Sequence, residues 1–144
     1  MDGLLTYRGT VYPWHCDQIG HMNVMWYVGK FDEATWHFFA ALGLTPMTLR
    51  ENNRGMVAVE QNIQYKRELL AGDIVSVHSV LLEIKDKALR FSHTMSKADT
   101  GEVAAITVLT GVHLDKAARR ACMLPAAVKE KAAAILVGAA AVRS

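Results

Sequence analysis

Between residues 24 and 42 apolar side chains fall on almost every side of a helix, and a helix of that kind has to be enclosed by something else. Val24, Met25, Val28, Phe31, Ala34, Phe38, Phe39 and Leu42 wrap most of its circumference. Lys30, Glu33 and His37 are left as a narrow polar stripe at spacings of three and four. Asn23 is the right residue type to cap such a helix, and Gly43 is the right type to end it. The remainder of the chain must therefore supply a surface that covers this helix.

That remainder reads as strands. Residues 4–13 form a strand that stops at Pro13, and residues 14–22 form a loop. Within residues 56–68, Val57, Val59, Ile63 and Tyr65 alternate with Ala58, Glu60, Asn62, Gln64 and Lys66. After a Gly72-Asp73 turn, the Val/Ile/Leu-rich residues 74–84 suit a central strand. Lys85-Asp86-Lys87 turns the chain, and Leu89, Phe91, His93 and Met95 then alternate with polar neighbours. Asp99-Thr100-Gly101 marks a hairpin into a last strand over 103–114. Pro125 opens an Ala-rich helix to about residue 140. The class is α+β: one curved antiparallel sheet wrapped around one long central helix, with an extra C-terminal helix. At 144 residues the chain is one domain, 1–144, with its core over about 5–115. The sheet has two edges that pairing between copies would cover, which predicts a homodimer or a homotetramer.

Charge and composition exclude several classes. Sixteen basic and fourteen acidic residues leave a net charge of +2 with no Lys/Arg block, so no nucleic-acid partner is expected. No apolar run is long enough to span a bilayer, and Met-Asp-Gly does not begin like a signal peptide, so no membrane partner and a cytoplasmic location are expected. Cys16 and Cys122 read as reduced thiols. His15, Cys16, Asp17 and His21 match no common zinc spacing, so no metal is expected. His78, His93 and His113 fall on different strands and read as structural.

The chemistry concentrates in residues 17–27, Asp-Gln-Ile-Gly-His-Met-Asn-Val-Met-Trp-Tyr. Asp17 lies beside the positive end of a helix, where backbone N–H groups can hold a developing oxyanion. Gly20 suits a positive backbone angle, and Asn23 both caps the helix and shapes the oxyanion site. His21 either orients Asp17 or satisfies a local carbonyl, and Tyr27 either reaches the site or packs in the core.

Asp17-x-x-Gly20-His21-x-Asn23, with Tyr27 ten residues after the Asp and Phe31-Asp32-Glu33 beyond it, resembles the hot-dog-fold acyl-CoA thioesterases of the 4-hydroxybenzoyl-CoA thioesterase-like branch. Ile63-Gln64-Tyr65-Lys66-Arg67-Glu68 to Gly72-Asp73 is similar to that family's second strand and turn. The resemblance implies a hot-dog fold and hydrolysis of a small acyl-CoA, with coenzyme A as part of the substrate and no cofactor. It implies Asp17 as catalytic carboxylate, nucleophile or general base. It also implies an oxyanion hole and substrate-positioning set of Gly20, His21, Asn23, Val24, Met25 and Tyr27. The chain departs from the pattern at Val24, where many relatives carry a second Asn, and at Asp32, where many carry Glu.

Trp14, Trp26, Asp32, Trp36 and Glu60 are candidates for the acyl pocket, and Lys66, Arg67 and Arg90 for the phosphates of coenzyme A. Trp14, Trp26, Tyr27 and Trp36 either pack in the core or form an aromatic box for a quaternary ammonium group. The Gly-His-Met-Asn form of the motif is similar to that of hot-dog thioesterases of carnitine and betaine metabolism, which points to a betainyl-type acyl group. Two rival functions are a hot-dog enoyl-CoA hydratase and a non-catalytic acyl-CoA-binding protein.

Overall fold

A computed structural model describes residues 3–143, with side chains to residue 136. The first strand, β1 (Leu4–Thr10), leads through a short 3-10 turn (Pro13–His15) into the motif loop and helix α1 (Val24–Ala41). A short helix, α2 (Pro46–Glu51), follows, then β2 (Arg54–Tyr65), β3 (Ile74–Ile84), β4 (Ala88–Lys97) and β5 (Val103–Asp115). A two-residue strand, β6 (Arg120–Ala121), and helix α3 (Ala126–Arg143) complete the chain. The strands pair antiparallel in the order β1-β3-β4-β5-β2, with β6 added to the end of β5.

The period-two pattern of β4 decides which sheet face receives α1. Leu89, Phe91, His93 and Met95 are all buried, and Phe31 and Phe38 from α1 are fully buried against that side. Two packed groups result. Phe31 and Ala34 pack with Val75, Val77 and Met95, while Phe38 and Phe39 pack with Leu81, Phe91 and Leu109. Full burial of each of the larger side chains here contributes about 1.5–3 kcal/mol. Helix α3 joins the second group through Val128 and Ala132, so the Ala-rich segment packs on the sheet.

Three expectations need correction. The first concerns α1, which is not enclosed all round. Val24, Met25, Val28 and Trp36 are exposed, because the sheet of one chain covers only one side of the helix. Lys30, assigned to the polar stripe, is buried: its ammonium reaches Tyr7 Oη (3.1 Å) and the Thr10 carbonyl (3.4 Å) on β1. The second concerns β2, which carries a bulge between Ala58 and Glu60 and forms a sheet edge. The bulge breaks strict alternation, and Val57 and Val59 are exposed instead of lying in the core of the chain. The third is α2, a helix absent from the sequence reading although Thr45 caps it and Pro46 occupies its first turn.

Candidate active site

The motif loop folds back on itself as a very small hairpin. Cys16 and Met22 form an antiparallel bridge, Asp17 N–H donates to the His21 carbonyl (3.2 Å), and Asn23 N–H donates to the His15 carbonyl (2.9 Å). Gly20 closes the tip with φ +99°, a conformation that a side chain would strain. Met22, fully buried, anchors the loop to the body by donating its N–H to the Leu69 carbonyl (2.7 Å).

Asp17 is held at both carboxylate oxygens. Oδ1 accepts from Ile19 N–H (2.9 Å), the usual local turn of an aspartate. Oδ2 accepts from Asn23 Nδ2 (2.9 Å). Asn23 turns its other amide atom to the helix, where Oδ1 accepts from Met25 N–H (3.0 Å). One amide therefore caps α1 and aims the carboxylate at the same helix end. The Asn23 bond, then the Ile19 bond, hold the Asp17 pKa below its ordinary value. Asp17 is thus an anion near neutral pH, able to attack a carbonyl or take a proton from water. The Val24 N–H at the start of α1 meets no acceptor among the described residues, and an amide in that position suits a developing negative charge.

Beside this helix end, a cavity of about 360 Å³ lies between α1 and the β2–β5 side of the sheet. Met25, Val28, Asp32 and Trp36 line its helix side, and Gln61 and Gly111 its sheet side. Gly111 makes room there, since a Cβ would lie 3.0 Å from Phe39 Cζ. Thr35, which also lines the cavity, is fixed by His93 Nε2 at 2.8 Å, and His93 is in turn 2.6 Å from Ser79 Oγ. Burial drives the His93 pKa down to about 4, so the imidazole is neutral at working pH.

The sequence-predicted residues divide among several places. Asp17, Gly20, Asn23, Val24 and Met25 come together, and Asp32 and Trp36 share the cavity beside them. Tyr27 does not join them: its buried ring packs edge-on against Tyr65, and its hydroxyl donates to the Arg67 carbonyl (3.1 Å). Burial raises its pKa to about 12, so the hydroxyl stays protonated. His21 makes no side-chain hydrogen bond to Asp17, and its Nε2 lies 3.7 Å from Glu68 Oε1. Trp14 and Trp26 line a separate basin on the β1 side of α1, so the four-ring box does not form. Glu60 is exposed next to the bulge, and its neighbours Ala58 and Gln61 line the cavity in its stead.

Lys66 and Arg67 share a groove with Lys97, where Glu102 pairs with Arg67 (3.4 Å) and Lys97 (3.6 Å). Arg90 stands apart from them. It pairs across from Thr110, whereas Lys66 N–H reaches Ala104. Six residues of β5 separate the two points, roughly 20 Å. Among the described residues no three His, Cys, Asp or Glu side chains converge as a metal site. Sequence reasoning placed only Met25, Asp32 and Trp36 of the lining in the site; Gln61, Thr35 and Gly111 are among the residues it missed. The bulge that turns Gln61 inward leaves no mark in the pattern, and Gly111 in a run of β-formers is the one available signal.

A family model described as the thioesterase-like superfamily matches residues 11–132. The long-chain acyl-CoA thioesterase FadM of Escherichia coli is 26% identical over 122 residues, covering 82% of this chain and 89% of FadM. The betainyl-CoA thioesterase of Pseudomonas aeruginosa is 27% identical over 114 residues, covering 78% of this chain and 72% of that protein. Among solved structures, a thioesterase of Thermus thermophilus complexed with coenzyme A and zinc superposes with a TM-score of 0.80 at 26% identity, covering 95% of this chain and 98% of that one.

Proposed function

Because this chain belongs to the thioesterase-like superfamily and is a thioester hydrolase, we propose that it hydrolyses a small acyl-CoA, with Asp17 as the catalytic carboxylate. The observation that carries this reading is the Asp17–Asn23–Met25 chain of hydrogen bonds, which ties an ionised carboxylate to a helix N-terminus. The thioester carbon sits over Asp17, with its oxygen toward the Val24 N–H. In one route Asp17 attacks that carbon, the C–S bond breaks, and coenzyme A leaves as a thiolate. Water then cleaves the mixed anhydride to give the free acid and restore Asp17. In the other, Asp17 takes a proton from the water that attacks. A thiol has a pKa of about 8.5, so departure needs little help from an acid. Neither route calls on a metal or a cofactor beyond the coenzyme A of the substrate.

The cavity of about 360 Å³ beside Met25 and Trp36 suits a small acyl group. Lys66 and Arg67 are the basic residues best grouped for phosphates. The exposed edge of β2 and the apolar Val28, Trp36, Val57 and Val59 favour a homodimer that closes this face. Among the described residues no helix is long and apolar enough to cross a membrane. The unpaired Cys16 and Cys122 suit a reducing compartment such as the cytoplasm.

A cationic, betainyl-type acyl group is favoured by one specific feature: the Asp32 carboxylate and the Trp36 ring line the same cavity. The test is release of free coenzyme A from short aliphatic, aromatic and betainyl thioesters. Hydrolysis is expected, fastest with the cation. Equal rates across the panel would remove the betainyl reading. Binding of every thioester without release would point to a non-catalytic binder, and hydration of an enoyl thioester to a hydratase.

A further inference from the structure

The basin on the β1 side of α1 has no part in the proposed hydrolysis, yet it is built with care. Its volume is about 570 Å³. At its floor lies the Lys30 ammonium, on a residue only 4% exposed. An ammonium has three N–H donors. Tyr7 Oη and the Thr10 carbonyl take two, and the third meets no acceptor among the described residues. Tyr7 reaches this position through a bulge in β1 between Leu5 and Tyr7, and it lies across Gly9, where even a Cβ would collide with its ring.

The walls are aromatic. Tyr12 and Trp14 stack with centroids 4.6 Å apart and planes 8° from parallel, and both are largely exposed on the basin side of the loop. His15 braces them: it is buried, accepts Tyr12 N–H at Nδ1 (3.0 Å), and packs 4.3 Å from Trp26. Glu33 stands at the rim, and its charge adds to burial in raising the Tyr7 pKa. The lysine and the glutamate cancel, so the basin carries one positive and one negative group and no net charge.

A neutral ligand with separated charges fits that arrangement better than an ion of either sign. We propose that the basin binds a small zwitterion, with its carboxylate on the free Lys30 N–H and its alkylammonium against Trp14 and Trp26 under Glu33. A simple anion would be opposed by Glu33, and a simple cation by Lys30. Charge-assisted hydrogen bonding at the floor and cation–π contact at the walls supply the two halves of recognition.

Calorimetric titration with trimethylglycine tests this, with acetate and tetramethylammonium as half-ligands. Measured in the Asp32→Asn background, which discounts the acyl cavity that would hold the same molecule as the product of betainyl hydrolysis, the zwitterion should bind at one site in the basin, and each half-ligand about tenfold or more weakly. Trp14→Ala, on an exposed ring, should keep the fold and weaken binding several-fold. Lys30→Met should weaken it about tenfold or more, with circular dichroism reporting whether the variant remains folded. Asp32→Asn, in the other cavity, should leave the affinity unchanged. The proposal is overturned if trimethylglycine does not bind, if tetramethylammonium binds as tightly, or if Asp32→Asn abolishes binding while Trp14→Ala does not. None of these outcomes depends on coenzyme A release, so a failure here leaves the hydrolase reading intact.

Discussion

Asn23 serves two masters with one amide, and substitutions can separate them. Asn23→Ala removes both the helix cap and the donor to Asp17. A lost cap costs about 1 kcal/mol, within a range of about 0.5–2. For a chain of this size that corresponds to a fall of roughly 2–4 °C in Tm per kcal/mol. Asn23→Asp keeps an acceptor for Met25 N–H and adds a negative charge at the helix N-terminus, worth about 0.3–1 kcal/mol in favour of the fold. It also sets a second carboxylate where Nδ2 stood, 2.9 Å from Asp17 Oδ2. Two carboxylates at that distance cannot both ionise freely, so one apparent pKa rises.

The sign follows from the lowered pKa of Asp17, whose first cause is the Asn23 bond. A depressed carboxylate contributes stability above the unfolded carboxylate range and loses it as pH falls through the folded value. Both variants therefore move the acid limb of kcat/KM to higher pH. Near neutral pH, loss of the positioning bond should lower the rate about 10²-fold. The assay is coenzyme A release across pH 4–8, with a thermal melt of each variant. The expected pattern is Asn23→Ala less stable and slow, and Asn23→Asp close to wild type in Tm but equally slow. Unchanged turnover and an unmoved acid limb in Asn23→Asp would refute the claim that this amide sets up the carboxylate.

Other predictions concern the cavity and its support. Gly111→Val should crowd Phe39 and Met56, costing about 1–3 kcal/mol and raising KM for the bulkier thioesters more than for acetyl-CoA. Turnover of a thioester panel checks it, and a uniform effect across acyl groups would place the limiting contact elsewhere. His93 has a folded pKa of about 4 against an ordinary 6.5. The unfolded chain therefore takes up a proton first, and stability should fall by up to about 3 kcal/mol between pH 6.5 and 4. Urea midpoints across that range should show this slope in the wild type and lose it in His93→Gln.

Much of the architecture is legible in the chain because its signals are local. Alternation in Leu89, Phe91, His93 and Met95 gives β4 and its buried face, and Asn23 and Gly43 bracket α1. Asp17, Gly20 and Asn23 are legible for the same reason, since the bonds that join them span only a few residues. What escapes is set by distant partners. Lys30 looks like a solvent-facing residue until a bulged β1 brings Tyr7 and Thr10 to it. Tyr27 reads equally as a pocket or a core residue until the Arg67 carbonyl, forty residues away, takes its hydroxyl. The tryptophans are close in sequence, but Trp26 and Trp36 point roughly 80° apart around one helix, into two cavities that meet at Gly29, and spacing alone does not separate them.

The most direct measurement is the turnover of Asp17→Asn, which keeps the shape of the side chain and an oxygen for Ile19 N–H while removing the charge. Coenzyme A release should fall about 10²–10⁴-fold, with substrate binding close to wild type and Tm lower by about 2–4 °C, since an NH2 group then faces Asn23 Nδ2 in place of an acceptor. Release at a near-normal rate by this folded variant would contradict the account, because the carboxylate would then take no part in breaking the thioester.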